Sequence, residues 1–158
     1  MAASTKSLGV LAGFLVVCLV TGLLGGWVTA QSVGSWYPTL VKPSWNPPAW
    51  VFGPVWTALY VLMAVAAWRV WRRQGPGRRR ALFLFFGQLF LNGLWSFLFF
   101  GAQSPGLALV DIAALWLALA TTALAFFSRD RLAGVLMIPY LAWVSFAAVL
   151  NFVIWRLN

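Results

Sequence analysis

Five long apolar runs, separated only by short turns, constrain this chain more than any other feature of it. The run Leu8 to Thr29 holds 22 residues without a charge. At about 1.5 Å per residue it is long enough to cross a hydrocarbon core of about 30 Å. The runs Ala49 to Trp71, Ala81 to Phe100, Gly106 to Phe127 and Leu132 to Trp155 are comparable in length. Inside a bilayer every backbone polar group needs a partner within the protein, which a helix supplies from its own chain. The pattern therefore predicts an all-α membrane protein: one domain over 1–158, a bundle of five transmembrane helices at about 8–29, 49–71, 81–100, 106–127 and 132–155, and a loop at 30–48. A cleavable leader ending at Val28, Thr29 and Ala30 is the rival reading of the first run, but leader cores are about 7 to 15 residues and this run is longer.

Composition agrees and narrows the chemistry. With 63% hydrophobic and 8% charged residues, the chain lies far from soluble domains. Its net charge of +9 sits in turns between apolar runs, not on one soluble face, so it reads as membrane topology and not as a nucleic-acid footprint. There is no histidine, and Asp111 and Asp130 are the only carboxylates. Imidazole metal ligands and Ser-His or Cys-His nucleophiles are thereby excluded, and no metal or cofactor is expected. Cys18 is the single cysteine, so no intramolecular disulfide forms. Lys6, Arg69, Arg72, Arg73, Arg78, Arg79, Arg80, Arg129 and Arg131 collect on one side and only Lys42 and Arg156 on the other. Because cytoplasmic turns hold the basic excess, the N-terminus is expected in the cytoplasm, with the 30–48 loop and the C-terminus outside; the charge count orients the chain, and a bacterial cell membrane is a separate expectation.

The loop is unusual in content. From Trp36 to Trp56 the sequence is WYPTLVKPSWNPPAWVFGPVW, with prolines at 38, 43, 47, 48 and 54. Proline fixes φ and removes a backbone donor, so most of this stretch is not a membrane helix. It predicts a stiff aromatic cap over a ligand pocket.

Helical spacing of three and four identifies the faces that avoid lipid. On the third run Gln88, Asn92, Trp95, Ser96 and Phe99 share a stripe; on the fifth, Pro139, Trp143, Ala147 and Asn151; on the second, Trp56, Tyr60 and Met63. Counting residues inward from the outer ends places Trp56, Asn92, Trp143 and Ala147 roughly 10 to 18 Å deep, where they can line one cavity under the loop. Indoles, a tyrosine and an amide suit a flat, largely apolar ligand such as a tetrapyrrole or a sterol. Lys42 and Arg156 stand where ligand carboxylates would emerge, which favours a porphyrin. Plainer roles compete at several positions. Trp27, Trp50, Trp68, Trp71 and Trp155 fit interfacial anchors, Arg156 a snorkelling helix end, and Asn92 interhelical glue as readily as a ligand contact. Asp111 is either an intramembrane functional carboxylate or an interfacial first-turn residue. Gly9 with Gly13, and Gly22 with Gly26, have the spacing that lets helices approach closely.

The segments WYPTLVKPSWNPPAW, VWTALY, LNGLWSFLFF and PYLAWVSFAAVLNFVIWR resemble the translocator protein family, also called tryptophan-rich sensory proteins or peripheral-type benzodiazepine receptors. The resemblance runs from Trp36 onward. It implies a five-helix bundle, often a homodimer, with a pocket capped by the first loop. It further implies that Trp36, Tyr37, Trp45, Trp56, Asn92, Trp95, Trp143 and Ala147 lie at or near the site where members bind porphyrins and isoquinoline or benzodiazepine ligands, and that Asn151 fits the fifth-helix pattern. Two departures stand out. Phe152 replaces the tyrosine of the sterol motif found in animal members, between Leu150 and Arg156, and Gly87 is followed four residues on by Leu91, which breaks the small-residue seam of the third helix.

Three functions follow as expectations. The first is a membrane receptor or carrier for tetrapyrroles, acting in transport, sensing or regulation. The second is an enzyme that degrades porphyrin with light and oxygen, with Trp56 and Trp143 as redox-capable side chains. The third is a structural or regulatory membrane protein that binds sterol or lipid weakly.

Overall fold

The computed structural model describes residues 2–158, with side chains from residue 5 onward. It consists of five helices: α1 (Ala2–Val33), α2 (Ala49–Arg72), α3 (Arg78–Ser96), α4 (Pro105–Phe127) and α5 (Arg131–Leu157). No strand occurs among the described residues. All five helices are long and apolar enough to cross a membrane, and the chain is an integral, multi-pass membrane protein. The bundle has a loop end, where α1 runs into α2 through 34–48, and an arginine end, where α2 meets α3 and α4 meets α5. Helix α4 packs mainly on α5 and α3, and α1 mainly on α2.

The helix ends follow from local chemistry. Ser104 caps α4 by accepting from the Leu107 N–H at 3.4 Å, with Pro105 in the first turn, where a proline's missing donor costs nothing. Asp130 caps α5 by accepting from the Ala133 N–H at 3.0 Å. The α2–α3 turn needs left-handed backbone at Gly75 (φ 114°) and Gly77 (φ 86°), a region closed to most side chains. Arg129 closes this turn by donating to the carbonyls of Arg73 (3.0 Å), Gln74 (2.9 Å) and Pro76. Helix α1 continues to Val33, four residues past the expected Thr29, and its last turn is held by the Ser32 hydroxyl donating to the Phe100 carbonyl at 2.7 Å.

That carbonyl is exposed by an irregularity. Helix α3 loosens into a π-turn over Phe97–Gly101, a feature that often marks functional sites because it re-aims side chains. Here it turns both Phe99 and Phe100 toward one hollow.

The two halves of the bundle pack differently. Toward the arginine end, Met63, Ala66, Ala67 and Val70 of α2 lie fully buried against Phe85, Leu119, Phe126 and Met137. Lipid tails are as apolar as these side chains, so close packing rather than water exclusion holds the helices together, and alanine on α2 permits it. The Trp68 indole N–H donates to the Ser7 carbonyl of α1 at 2.8 Å and so ties α1 to α2. Asp130 ties α2 to α5, accepting from Arg69 at 3.0 Å through both oxygens and from Arg73 at 2.9 Å. Burial alone would raise the Asp130 pKa; the bonds from Arg69, Ala133 and Arg73 outweigh it and hold the carboxyl at about 2.

Candidate functional site

Beneath the loop lies a cavity of about 450 Å³, within the size range of small-molecule sites. Helices α1, α2, α3 and α5 wall it and Tyr37 of the loop closes it above; α4 contributes nothing. On the α1–α2 side, Gly26, Ala30, Gly53 and Thr57 line the cavity and are also exposed on the bundle surface. The hollow therefore opens sideways, toward acyl chains.

Aromatic rings dominate the walls. Trp56 sits 5.7 Å from Tyr60 and 6.1 Å from Tyr140, while Trp95 stacks on Phe99 at 5.1 Å. The polar groups are few and mostly paired with each other. The Tyr60 hydroxyl donates to Asn92 Oδ1. The Trp95 indole donates to Asn151 Oδ1 at 3.0 Å, and Asn151 Nδ2 donates to the Pro105 carbonyl at 2.8 Å. The Thr29 and Thr57 hydroxyls turn back to the carbonyls of Gly25 and Gly53 in their own helices, which satisfies them locally. What remains is an apolar, ring-lined slot with an amide at its floor.

The cap is fastened by bonds within the loop and to α5. Lys42 Nζ donates to the carbonyls of Tyr37 (2.8 Å) and Leu40 (2.7 Å) and lies 4.8 Å from the centre of the Tyr37 ring. The Tyr37 hydroxyl donates to Asn46 Oδ1 at 2.9 Å. Val41 is bonded through both N–H and carbonyl to the side chain of Asn158 at the end of α5 (2.9 and 3.0 Å). The loop is thus fastened to itself and to the last helix.

Of the residues singled out from sequence, Tyr37, Trp56, Tyr60, Asn92, Trp95, Ala147 and Asn151 meet at the cavity. Others stand one layer back. Trp143 packs edge-on against Phe52, which does line the cavity, at 6.0 Å, and its buried indole nitrogen has no partner among the described residues. Trp36 packs on Phe99 at 5.8 Å and Trp45 on Phe146 at 5.8 Å. Lys42 and Arg156 are not in the cavity wall; Lys42 is engaged by loop carbonyls and Arg156 is exposed. Asp111 is buried on α4, away from the cavity wall, with Oδ2 unpartnered among the described residues.

Helix α1 is what sequence reasoning missed. Gly22, Gly25, Gly26 and Thr29 form one wall. A methyl group at Gly25 would stand 2.9 Å from Ser96 Oγ, and one at Gly22 would collide with the Tyr60 ring. Gly9 and Gly13 meet no neighbour within 4 Å. The Gly22 and Gly26 spacing was the available signal, since residues without side chains make room for something.

Residues 14–156 match the model of the TspO/MBR family. The chain is 45% identical to the tryptophan-rich protein TspO of Chlorobaculum tepidum, covering 97% of this chain and 98% of that protein. It is 43% identical to the tryptophan-rich sensory protein of Cereibacter sphaeroides (92% and 89%) and 45% identical to the translocator protein of Homo sapiens (78% and 75%). With a match across nearly its whole length, this chain belongs to the TspO/MBR family.

Proposed function

We propose that this protein is a membrane receptor or carrier for porphyrins and related flat apolar molecules, in tetrapyrrole transport, sensing or regulation. The observation that carries the reading is the cavity of about 450 Å³ walled by Trp56, Tyr60, Trp95, Phe99 and Phe100 under a fastened cap. Large rings supply stacking surface, and a polar floor of one amide orients without demanding charge. The translocator and sensory names of the similar proteins favour a receptor or transport role. In this reading the arginine end faces the cytoplasm of a bacterial cell, and the loop and C-terminus face outward. Sterols and isoquinoline or benzodiazepine compounds are further candidates by shape, and lateral opening lets any of them arrive from the lipid.

Light-driven porphyrin breakdown is a second reading, favoured by the placement of Trp56 between Tyr60 and Tyr140 at the cavity wall. Trp143 lies behind Phe52 and is less suited to contact a pigment. Any such activity draws its reactivity from the illuminated ligand. One titration tests both. Purified protein is mixed in the dark with protoporphyrin while tryptophan emission is followed, then illuminated while pigment absorbance is recorded. Saturable quenching near micromolar affinity, about −8 kcal/mol, is expected; its absence rejects the receptor reading. Pigment loss no faster than with an unrelated membrane protein rejects the enzyme.

A further inference from the structure

At the opposite end of the bundle from the aromatic cavity is a second hollow, of about 290 Å³, lined by Arg69, Arg72, Arg73 and Asp130. Three guanidinium groups face one carboxylate, an excess of two positive charges. Asp130 is fully engaged: Oδ1 accepts from Arg69 Nε and the Ala133 N–H, and Oδ2 from Arg69 and Arg73. It fixes Arg69 and Arg73 but does not saturate them, because each guanidinium carries five donors. Arg72 is placed differently: its guanidinium carbon lies 4.8 Å from the centre of the Trp68 ring, a contact that uses none of its N–H donors. Trp68 is itself pinned to Ser7.

The other nearby arginines that make side-chain hydrogen bonds are committed elsewhere. Arg129 closes the α2–α3 turn through three carbonyls, and Arg78 donates to Gln74 Oε1 at 2.9 Å and the Trp71 carbonyl at 3.3 Å. Arg79, Arg80 and Arg131 do not line the hollow. The site is therefore a defined set of three arginines, not the general basicity of this end. Convergent, pre-oriented guanidinium forks match the tetrahedral oxygens of phosphate. The position is the last turn of α2 and the first residue before α5, which is the depth of lipid headgroups.

We propose that Arg69, Arg72 and Arg73, ordered by Asp130, form a binding site for a phosphate-bearing anion, reached either as the headgroup of an anionic phospholipid or as a soluble phosphate. The site is independent of what fills the aromatic cavity. Its test uses the full chain. In detergent, inorganic phosphate and pyrophosphate are titrated by calorimetry. In nanodiscs of phosphatidylcholine with a minor share of phosphatidylglycerol, bound lipid is counted by native mass spectrometry after release. Binding of phosphatidylglycerol alone identifies the lipid source; binding of the inorganic anions as well identifies a soluble one.

Arg72→Gln leaves the Asp130 bonds in place and is expected to weaken whichever phosphate binds by about tenfold, the scale of one charge-assisted contact. Arg79→Gln removes the same charge outside the hollow and is expected to change binding less than about twofold. Protoporphyrin quenching should be unaltered in both variants, which separates this site from the one above. The proposal is overturned if neither probe binds the unaltered protein saturably, or if Arg79→Gln weakens binding as much as Arg72→Gln.

Discussion

The interiors of the two halves of this bundle are built from the same kinds of helix yet reach opposite solutions, hollow beneath the loop and packed toward the arginines. In the interior of the arginine half, alanines on α2 meet large side chains from α3, α4 and α5, all of them buried, and the hollow among Arg69, Arg72 and Arg73 lies beyond this core at the bundle's end. At the loop end, Gly22 and Gly25 of α1 are closely approached by Tyr60 and Ser96, while nothing stands within 4 Å of where a side chain at Gly26 would begin, and a cavity of about 450 Å³ remains beside them. On the scale of about 24 cal/mol per Å³ for a truly empty void, such a space would cost about 10 kcal/mol, as much as the whole stability of a typical domain. Because the hollow opens at the bundle surface it does not carry that full cost, since lipid or a ligand can enter it. Small residues alone do not decide between the two outcomes; what they face does.

That contrast can be broken from either end. The largest expected effect is at the packed end, on Asp130→Asn, which leaves two arginines without their shared carboxylate while an amide oxygen can still cap α5. We expect a loss of about 1 to 2 kcal/mol, since both arginines are partly exposed and screened, read as a lower melting temperature in detergent at neutral pH. The sign of the pH dependence is fixed by the carboxyl lying at about 2, below the unfolded value of 3.8. Its stabilisation is complete above the unfolded value and is lost as pH falls toward 2. Unaltered protein and variant should therefore converge in melting temperature below about pH 4. A gap that persists unchanged at pH 2 would contradict the assignment.

At the hollow end the changes should act on ligand and spare the fold. Ala147→Phe fills the notch between α5 and the rings of α2 and α3, and should weaken protoporphyrin binding by at least about tenfold. Its melting temperature should stay within a few degrees. The reverse pattern, intact binding with a collapsed melting point, would mean that the space is packing slack and not a site.

Two indoles sharpen the comparison further. Trp56 lines the cavity while Trp143 lies behind Phe52. Trp56→Phe should therefore remove a larger share of the quenchable emission than Trp143→Phe, and should cost more affinity. Equal losses would place Trp143 in contact with the ligand after all.

The smallest effect is expected at Lys42→Met. It removes bonds to the Tyr37 and Leu40 carbonyls, worth about 1 kcal/mol in a partly exposed setting. Faster proteolysis between α1 and α2, with the bundle's melting point unmoved, is the expected outcome.

How much of this was legible in the sequence differs between elements for physical reasons. Five spans were readable because a bilayer demands long, uninterrupted apolar helices. The stripes on α2, α3 and α5 were readable because an amide or indole on a lipid-facing surface is costly, so Tyr60, Asn92 and Trp95 declare their face. Radial depth was not readable: periodicity gives an angle around a helix, and Trp143 shares its stripe with Ala147 yet sits one ring farther out. The α1 wall was hidden because glycine has no side chain to announce a face. The π-turn at Phe97–Gly101 leaves no compositional mark, and it is what brings Phe99 and Phe100 together. Asp130 stands between Arg129 and Arg131 in the sequence, whereas its partners Arg69 and Arg73 lie 61 and 57 residues away.

The most direct measurement is the position of the ligand itself. Diffraction from crystals grown with a zinc porphyrin, with the metal located by anomalous scattering, would give that position without reliance on fluorescence. The account predicts a peak inside the bundle beneath Tyr37, within contact of Trp56, Trp95 and Ala147. A peak on the lipid-facing surface, or at the arginine end, would contradict it.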